Sequence, residues 1–204
     1  GMLGNFAAGA FMLILRPFKV GDFVSIAGVT GTVHELGLFG TTIVTPDNVL
    51  TLIGNGNLFL AYTHVAHDCV VGNWTVFSNN AQLAGHVHIG DWVVMGAYAG
   101  VHQFCRVGTH SMIAAGAIVL QDVPPFVTAS GYPATPRGIN TEGLRRRGFT
   151  AAEILAVRRA YKTLYREGRD VDDARAALVT ASESVPALAA LVDFLAVPGR
   201  GIIR

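Results

Sequence analysis

Residues 77–107 read FSNNAQLAGHVHIGDWVVMGAYAGVHQFCRV, and every sixth residue along them, beginning with Phe77, is bulky and apolar. A period of six matches neither an α-helix, which repeats about every 3.6 residues, nor a simple strand, whose side chains alternate. It is the hexapeptide signature of a parallel β-helix, in which three hexads form one triangular coil. The spacing holds at twelve successive positions of the chain: Ile53, Phe59, Val65, Val71, Phe77, Leu83, Ile89, Met95, Val101, Val107, Ile113 and Val119.

Two positions of each hexad are predicted to fill the interior of the coil. The bulky residue points inward and stacks on its equivalent in the next coil, about 4.8 Å away. We therefore predict a mainly β protein with a solenoid over residues 53–124, although the sequence alone does not give the handedness of the coils. The second inward position, four residues later, is small or β-branched: Thr63, Cys69, Thr75, Ala81, Val87, Val93, Ala99, Cys105, Ser111, Ala117 and Val123.

Residues 125–204 have a different pattern, which predicts a helical region that closes the end of the solenoid. Pro124-Pro125 is expected to end the coils. Thr150 and Glu153 form a capping box for a helix that runs to about Arg166. The other elements predicted here are a loop over 131–136 and helices over 172–182 and 186–196.

Residues 1–52 match neither pattern. From Phe18 onward, short alternating runs separated by Gly and Pro-Asp turns predict four or five short strands, in a small barrel-like segment or an open sheet. The apolar stretch Phe6–Leu15 ends before Arg16-Pro17 and is shorter than the roughly 20 residues that cross a bilayer. It therefore leaves membrane contact open but does not predict a complete span.

The composition excludes several classes of function. Hydrophobic residues make up 51% of the chain and charged residues 14%, and the formal net charge is +1, so we expect no nucleic-acid partner. Cys69 and Cys105 lie two whole coils apart, which places them about 9 to 10 Å from each other, too far for a disulfide. The cysteine count is typical of a reducing cytoplasm.

Histidines cluster at one position of the coil. His67, Gly85 and Gln103 follow one another at intervals of three hexads, so they should stack in consecutive coils. His86 and His102 flank that column by one position, and the remaining histidine of this group, His64, precedes His67 by three. Convergence of several polar groups on a glycine favours a functional site over a ladder of solvated histidines.

The residue types in this column suit acyl transfer to an alcohol. A neutral imidazole is the commonest general base near pH 7, so His67 would take a hydroxyl proton while Asp68 orients it. Gly85 would let a backbone N–H approach the developing oxyanion. Zinc is the alternative, because some β-helix enzymes hold the metal with three histidines, but the sequence offers no clear third ligand and we expect no metal. Arg145-Arg146-Arg147 either forms a solvated turn or binds a diphosphate.

From about Ile53 to Arg204 the chain resembles the bacterial acyl-carrier-protein–UDP-N-acetylglucosamine O-acyltransferase family, which begins lipid A synthesis. The resemblance is carried by six runs of sequence: His64-Val-Ala-His-Asp-Cys69, Leu83-Ala-Gly-His-Val87, Val101-His-Gln-Phe-Cys105, Gln121-Asp-Val-Pro-Pro125, Glu142-Gly-Leu-Arg-Arg-Arg-Gly-Phe149 and Arg200-Gly-Ile-Ile-Arg204.

This resemblance implies a left-handed parallel β-helix that assembles as a homotrimer in the cytoplasm. It implies transfer of a 3-hydroxyacyl chain from acyl carrier protein to the 3-hydroxyl of UDP-N-acetylglucosamine, with no metal or organic cofactor. The family's general base corresponds to His67 and its oxyanion donor to the Gly85 amide, while Met112–Ala115 would lie near the end of the acyl groove. The implied substrate-binding residues are His64, His86, His102, Gln103, Asn140, Glu142, Arg146 and Arg147.

Residues 3 to about 52 resemble a different family, the small-conductance mechanosensitive channels, whose β domain assembles as a heptamer. The similar runs are Gly4-Asn-Phe-Ala-Ala-Gly9, Arg16-Pro-Phe-Lys-Val-Gly-Asp22, Gly31-Thr-Val33 and Thr41-Thr42. We therefore expect a fusion with its junction near residues 52–57. The acyltransferase part would lack its front coils, which in that family supply further substrate contacts between subunits. A non-enzymatic scaffold and a membrane-attached channel fragment are the alternative functions.

Overall fold

The structure, a computed structural model, describes residues 14–15, 17–26, 29–37, 40–46, 50–54 and 56–204. Apart from its last two residues, the apolar stretch Phe6–Leu15 lies outside these ranges. Eleven two-residue strands, one in each successive hexad, form the solenoid. They are β5 (Leu58–Phe59), β6 (His64–Val65), β7 (Val70–Val71), β8 (Val76–Phe77), β9 (Gln82–Leu83), β10 (His88–Ile89), β11 (Val94–Met95), β12 (Gly100–Val101), β13 (Arg106–Val107), β14 (Met112–Ile113) and β15 (Ile118–Val119).

The pairing of these strands has the predicted coil length. Ile89 pairs in parallel with Val71 on one side and Val107 on the other, and each partner is three hexads away in the sequence. Every third strand shares a sheet, which gives the prism three faces. We call them face A (β5-β8-β11-β14), face B (β6-β9-β12-β15) and face C (β7-β10-β13).

From Thr75 onward both predicted inward positions are buried in the core, whereas Val65 in the first coil is 40% exposed. Phe77, Met95 and Ile113 stack on one another and have no exposed surface, and the small inward residues such as Ala81 and Ala99 are equally buried. Burial of each large side chain stabilises the fold by roughly 1.5 to 3 kcal/mol. The solenoid therefore follows from the hexad pattern that the sequence displays.

Non-glycine residues form the corners of the coil in a left-handed backbone conformation. Their φ angles lie between 54° and 64°, which costs an L-residue roughly 1 to 2 kcal/mol each. Ring stacking along the edges offsets part of this cost, as where Trp74 and Trp92 lie 4.6 Å apart between ring centroids. The hexad spacing did not predict this conformation at the corners, which are Tyr62, Asp68, Trp74, Asn80, His86, Trp92, Tyr98, Phe104 and His110.

The N-terminal end of the solenoid differs from the prediction. Ile53 was expected to begin the coils, but it lies in an antiparallel strand that pairs with the preceding strand and with β5, so this prediction is wrong. Ile53 keeps the apolar hexad spacing, but its strand pairs antiparallel with both neighbouring strands, whereas strands within the coils pair in parallel. This segment is an antiparallel meander of β1 (Phe23–Ile26), β2 (Val29–Leu36), β3 (Gly40–Val44) and β4 (Leu50–Gly54).

The C-terminal end of the solenoid also extends past its predicted limit. Strand β16 (Val127–Ser130) pairs in parallel with β14, so the coils continue beyond Pro124-Pro125. The spacing from Ile113 to its partner Ala129 is two positions short of a full coil, and the proline pair lies in this shortened coil. Strand β17 (Thr135–Ile139) then returns antiparallel to β16, where a loop over 131–136 was predicted.

Helices cover this end of the coils and form a second apolar core. The predicted capping box is present, since the Thr150 hydroxyl accepts from the Glu153 N–H and the Glu153 carboxylate accepts from the Thr150 N–H. The bounds of the three predicted helices are close to those observed, whereas the short helix at Thr141–Arg146 was not predicted. The elements are α1 (Thr141–Arg146), α2 (Ala151–Tyr165), α3 (Val171–Ser184), a 3-10 turn (Pro186–Leu188) and α4 (Ala189–Ala196).

The C-terminal residues are tied to the last coil by a buried ion pair. Asp122 is 1% exposed, and its carboxylate accepts hydrogen bonds from the Arg106 side chain at 2.7 and 2.9 Å. The Arg106 guanidinium also lies over the Phe194 ring, 4.5 Å from its centroid. Beside this pair, Asp122 accepts a backbone hydrogen bond from Ile203, whose side chain is buried.

Both cysteines are free, as predicted. Cys105 is buried, and this burial raises the pKa of its thiol to about 11, with Asp122 acting in the same direction. The thiol therefore stays protonated near neutral pH. None of the helices in the described part of the chain has the length and apolar character that a bilayer crossing needs.

Candidate active site

The column predicted from the coil-length spacing is present. The backbone N–H of His86 donates to the carbonyl of His67 at 3.0 Å, and the N–H of Phe104 donates to the carbonyl of Gly85 at 3.2 Å. These two bonds place His67, Gly85 and Gln103 in consecutive coils. The column lies beside the corner between faces B and C, on the solvent side of the solenoid.

Asp68 orients the ring of His67. His67 Nδ1 lies 2.8 Å from Asp68 Oδ2, and this hydrogen bond lowers the pKa of Asp68, with the nearby imidazoles acting in the same direction. Asp68 therefore stays ionised near neutral pH. An Nδ1–H that donates to this carboxylate leaves Nε2 unprotonated, which is the tautomer that a general base requires.

Gly85 makes room for the other edge of the His67 ring. A Cβ atom at position 85 would lie 2.7 Å from both Cε1 and Nε2 of the imidazole, closer than side-chain atoms ordinarily approach. Among the described residues, none accepts a hydrogen bond from the Gly85 amide. Nε2 of His67 and the Gly85 amide, which has no acceptor among the described residues, therefore lie in adjacent coils beside the same corner.

His86 forms the third member of this cluster. Its ring makes an edge contact with His67 at 5.1 Å between centroids and stacks on Phe104 at 4.7 Å. His86 Nε2 lies 3.8 Å from Asp68 Oδ2. Phe104, which the sequence analysis did not assign to the site, fixes the plane of the His86 ring. Phe104 follows His86 by 18 residues, one whole coil, and this spacing could have predicted from the sequence that the two rings stack.

His64 and His102 line a shallow groove on face B rather than the corner itself. The groove has a volume of about 320 Å³, and its lining is largely apolar, including Ala66, Ala84 and Leu120. His102 Nδ1 lies 3.2 Å from the backbone oxygen of Gln103, and the Gln103 side chain is exposed. These histidines therefore border an apolar surface next to the His67 cluster.

Asn140 is buried, and its side chain already has two partners. It caps α1 by accepting from the Gly143 N–H at 3.1 Å, and its Nδ2 donates to the His110 carbonyl at 2.9 Å. The side chain therefore joins the helical region to the edge of the solenoid. This placement predicts a structural role for Asn140, and the substrate contact that the resemblance implies stays a prediction.

The predicted charged residues lie on α1 and just after it, with different surroundings. Glu142 forms exposed ion pairs with Arg145 at 2.7 Å and with Arg146 at 3.0 Å. The Arg147 guanidinium instead lies over the Trp92 ring, 4.8 Å from its centroid, and donates to the Gly143 carbonyl. Burial lowers the pKa of Arg147 below its ordinary value. Arg145 and Arg146 thus lie at exposed positions of a helix, and Arg147 follows its last residue.

Within one chain these charged residues are on a different edge from the histidine cluster. Arg147 packs on the edge that carries Trp74, Trp92 and His110, whereas His86 belongs to the edge of Asp68 and Phe104. Face C separates the two edges. Burial and the Arg147 charge lower the pKa of His110 to about 4, so its stacked ring is neutral near pH 7.

The cluster also contains three groups that can bind a metal. One ligand atom from each of His67, Asp68 and His86 lies within 4.8 Å of the other two. The zinc alternative raised by the sequence required three histidines, and no clear third one was present. The structure adds the Asp68 carboxylate to the two imidazoles.

Comparison with known proteins connects this geometry to one family. The chain is 52% identical to the acyl-(acyl-carrier-protein)–UDP-N-acetylglucosamine O-acyltransferase of Thiobacillus denitrificans over 78% of its length and 61% of that protein. It is 50% identical to the enzyme of the same name from Neisseria gonorrhoeae over 88% of its length and 69% of that protein. The chain belongs to this acyltransferase family. A model of the UDP-N-acetylglucosamine O-acyltransferase domain 2 matches residues 122–203.

Solved structures of this acyltransferase family have the same fold. The LpxA structure from Acinetobacter baumannii is 44% identical, covers 74% of this chain and 59% of its own, and has a TM-score of 0.72. The UDP-N-acetylglucosamine acyltransferase of Francisella novicida is 42% identical, with 72% and 54% coverage and a TM-score of 0.71. The predicted fold, a left-handed β-helix followed by helices, is confirmed.

The acyltransferase match and a second match overlap near the N-terminus. A model of the mechanosensitive ion channel β-domain matches residues 1–62. The alignment with the N. gonorrhoeae acyltransferase covers 88% of this chain and therefore extends into those residues. The chain spans about three fifths of the length of the first acyltransferases that it matches.

A methyl group at position 85 is expected to disturb the site without unfolding the coil. In a Gly85→Ala variant the new Cβ would displace the His67 ring; if the chain has the acylation activity for which its relatives are named, we expect kcat to fall about 100-fold, as displacements near 1 Å can do. Steady-state kinetics of that reaction would measure this. Circular dichroism should match the parent chain, and an unchanged kcat would contradict the proposed geometry.

Loss of the Asn140 side chain is expected to reduce stability. Asn140→Ala removes a helix cap and a buried hydrogen bond, so we expect the free energy of unfolding to fall by about 2 kcal/mol. Urea unfolding followed by circular dichroism would measure this. Asn140→Ser, which keeps a capping oxygen, should recover part of the loss. A normal stability with a raised KM would instead favour direct substrate contact.

Proposed function

We propose that this chain transfers a 3-hydroxyacyl group from acyl carrier protein to the 3-hydroxyl of UDP-N-acetylglucosamine. The observation that supports this most directly is the His67 imidazole, held by Asp68 at 2.8 Å on one nitrogen and facing Gly85 with the other. The names of the relatives support the choice of substrates. No metal or organic cofactor is needed for the step.

In the proposed reaction, His67 Nε2 removes the proton from the sugar hydroxyl as its oxygen attacks the thioester carbonyl. The oxyanion of the tetrahedral intermediate accepts a hydrogen bond from the Gly85 amide. The C–S bond then breaks, and the protonated His67 gives its proton to the departing thiolate sulfur, which becomes the free thiol of the carrier protein. The Asp68 carboxylate stabilises the imidazolium that forms between these two proton transfers.

The remaining site residues are proposed to bind the two substrates. The apolar groove on face B, bordered by His64 and His102, suits an acyl chain. Met112–Ala115 lies on face A, around the corner at Gly116, where the resemblance implies the end of that groove. Arg146 is exposed and Arg147 lies beside it, so both suit the diphosphate of the nucleotide sugar.

A homotrimer would bring the two edges together. His67 and Arg147 are on different edges of one chain, so one diphosphate sugar cannot bridge them within that chain across face C. In a closed threefold assembly, the histidine edge of one protomer can face the arginine edge of the next. We therefore propose that the site forms between protomers of a cytoplasmic homotrimer, with His86 and Gln103 lining the cleft.

An acylation assay tests the function. The chain would be incubated with UDP-N-acetylglucosamine and a 3-hydroxyacyl carrier protein, and mass spectrometry would detect the acylated nucleotide sugar. We expect turnover, and carrier proteins with different chain lengths would then identify the preferred acyl group. A folded trimer that forms no acylated product would contradict the proposal, because the face B groove and His67 would both be present.

The channel-like N-terminal match supports a second candidate, a scaffold without catalysis. In that case residues 1–52 are a fused channel β-domain, and its sevenfold assembly would dominate. One rigid chain cannot satisfy threefold and sevenfold closed symmetry together. Mass in solution therefore discriminates the two: three copies of the 21.5 kDa chain support the acyltransferase, and seven support the channel module.

A further inference from the structure

The corner that holds the proposed base has the ligands of a metal site. We propose that Zn²⁺ binds His67, Asp68 and His86 of this chain and reversibly inhibits it. The inhibition rests on the proposed function of His67, whereas the binding of the metal does not. The proposed reaction needs no metal, so the ion would be a regulator and not part of the chemistry.

The donor set favours zinc over harder cations. Two imidazole nitrogens and one carboxylate oxygen are the ligands of many catalytic zinc sites, which keep a fourth position open to water. Magnesium and calcium prefer sites built from oxygen ligands alone. The three side chains are 73%, 65% and 42% exposed, so solvent can reach the remaining coordination position.

The distances between the donor atoms suit a tetrahedral ion. Ligand atoms about 2.0 to 2.2 Å from zinc lie roughly 3.3 to 3.6 Å from one another in a tetrahedron. In the structure Asp68 Oδ2 lies 2.8 Å from His67 Nδ1 and 3.8 Å from His86 Nε2. These two values lie on either side of the required separation, and no pair of ligand atoms in the group is more than 4.8 Å apart, so the side chains need to move by about 1 Å to admit the ion.

The solenoid holds the ligands in place before the metal arrives. Asp68 and His86 are equivalent corner residues of adjacent coils, with φ angles of 58° and 60°. The His86 N–H donates to the His67 carbonyl at 3.0 Å, and Phe104 stacks on the His86 ring. Because the backbone is fixed by the coil, little ordering of the main chain opposes binding.

Zinc at this position would compete with the proposed catalysis. The ion would bind Nδ1 of His67 and remove the Asp68 carboxylate from its role as hydrogen-bond acceptor. A neutral imidazole that binds zinc through Nδ1 carries its ring proton on Nε2, so this nitrogen could no longer accept the proton of the sugar hydroxyl. Removal of the metal by a chelator would restore the carboxylate contact and the activity.

Calorimetric titration of the chelator-treated chain with zinc chloride, without substrates, tests the site. We expect one Zn²⁺ per chain, and we expect Asp68→Asn and His86→Ala each to weaken binding at least about tenfold, since a ligand is removed. The matched control is His88→Ala, which removes an exposed imidazole on face C, and it should bind zinc as the parent does within about twofold.

Equal zinc affinity in the parent, Asp68→Asn and His86→Ala chains would overturn the site, as would the absence of saturable binding in a folded parent. Circular dichroism confirms that the variants are folded. If the chelator-treated chain binds zinc but shows no turnover before zinc is added, the metal site is supported and the proposed acyltransferase function is contradicted. Turnover that is unchanged when zinc occupies the site overturns the inhibition.

Discussion

Replacing His67 by alanine is expected to lower kcat for acylation of UDP-N-acetylglucosamine about 1,000-fold, the middle of the range for loss of a general base. The imidazole is mostly exposed, so its removal leaves no cavity in the core, and the fold should be retained. The remaining rate would come from substrate binding and from the Gly85 amide. Initial rates at saturating substrate, measured by mass spectrometry of the product, give the required kcat.

Two further variants test whether the loss of activity is specific to the His67 imidazole. Asp68→Asn should lower kcat only about tenfold, because the Asp68 side chain is 65% exposed and its charge is screened by water. His88→Ala, which removes an exposed histidine outside the site, should retain the parent rate. A His67→Ala chain within tenfold of the parent would exclude this residue as the base.

Loss of the Asp122 carboxylate is expected to be strongly destabilising. Asp122→Ala leaves the Arg106 guanidinium, which is only 20% exposed, without its buried counter-charge. Such changes reduce the free energy of unfolding by about 3 to 5 kcal/mol. The Arg106 backbone N–H also loses its acceptor on this carboxylate. Because this pair fixes the last coil to the C-terminal segment, the helices should separate from the solenoid early during unfolding.

Urea unfolding at a fixed chain concentration measures this loss, since assembly contributes to apparent stability. The control is Glu142→Ala, which breaks two exposed ion pairs and should change the free energy by at most about 1 kcal/mol. If Asp122→Ala were as stable as this control, the Arg106 pair would not contribute to holding the C-terminal segment.

Much of the solenoid can be predicted because one coil has a fixed length. Inward residues such as Phe77 and Met95 recur with a local period, and the period alone brings His67, Gly85 and Gln103 into one column. Asp68 and His86 directly follow His67 and Gly85 in the chain, so the same coil length also places these two corner residues in adjacent coils. The contact of His67 with Asp68 and His86 is therefore a consequence of spacing that is visible in the sequence.

The ends of the solenoid could not be predicted in the same way. Ile53 has the right spacing, but the direction of its partner strand depends on the chain before it, which the hexad does not encode. Around Pro125 the coil is shortened by two positions, so Ala129 no longer falls at a predicted position. The three adjacent arginines are equivalent in sequence, and only packing on Trp92 distinguishes Arg147 from its neighbours.

The fixed coil length limits how this protein can change. His67 and Gly85 meet because they are one whole coil apart, and a single insertion or deletion inside that span would turn the inward side chains outward or move the glycine past the imidazole. Exposed side chains outside the site can be exchanged, whereas length can vary only as a loop that leaves and re-enters at a corner. Natural variants of this segment should therefore differ by substitution or by such a corner loop, and not by single residues within a hexad.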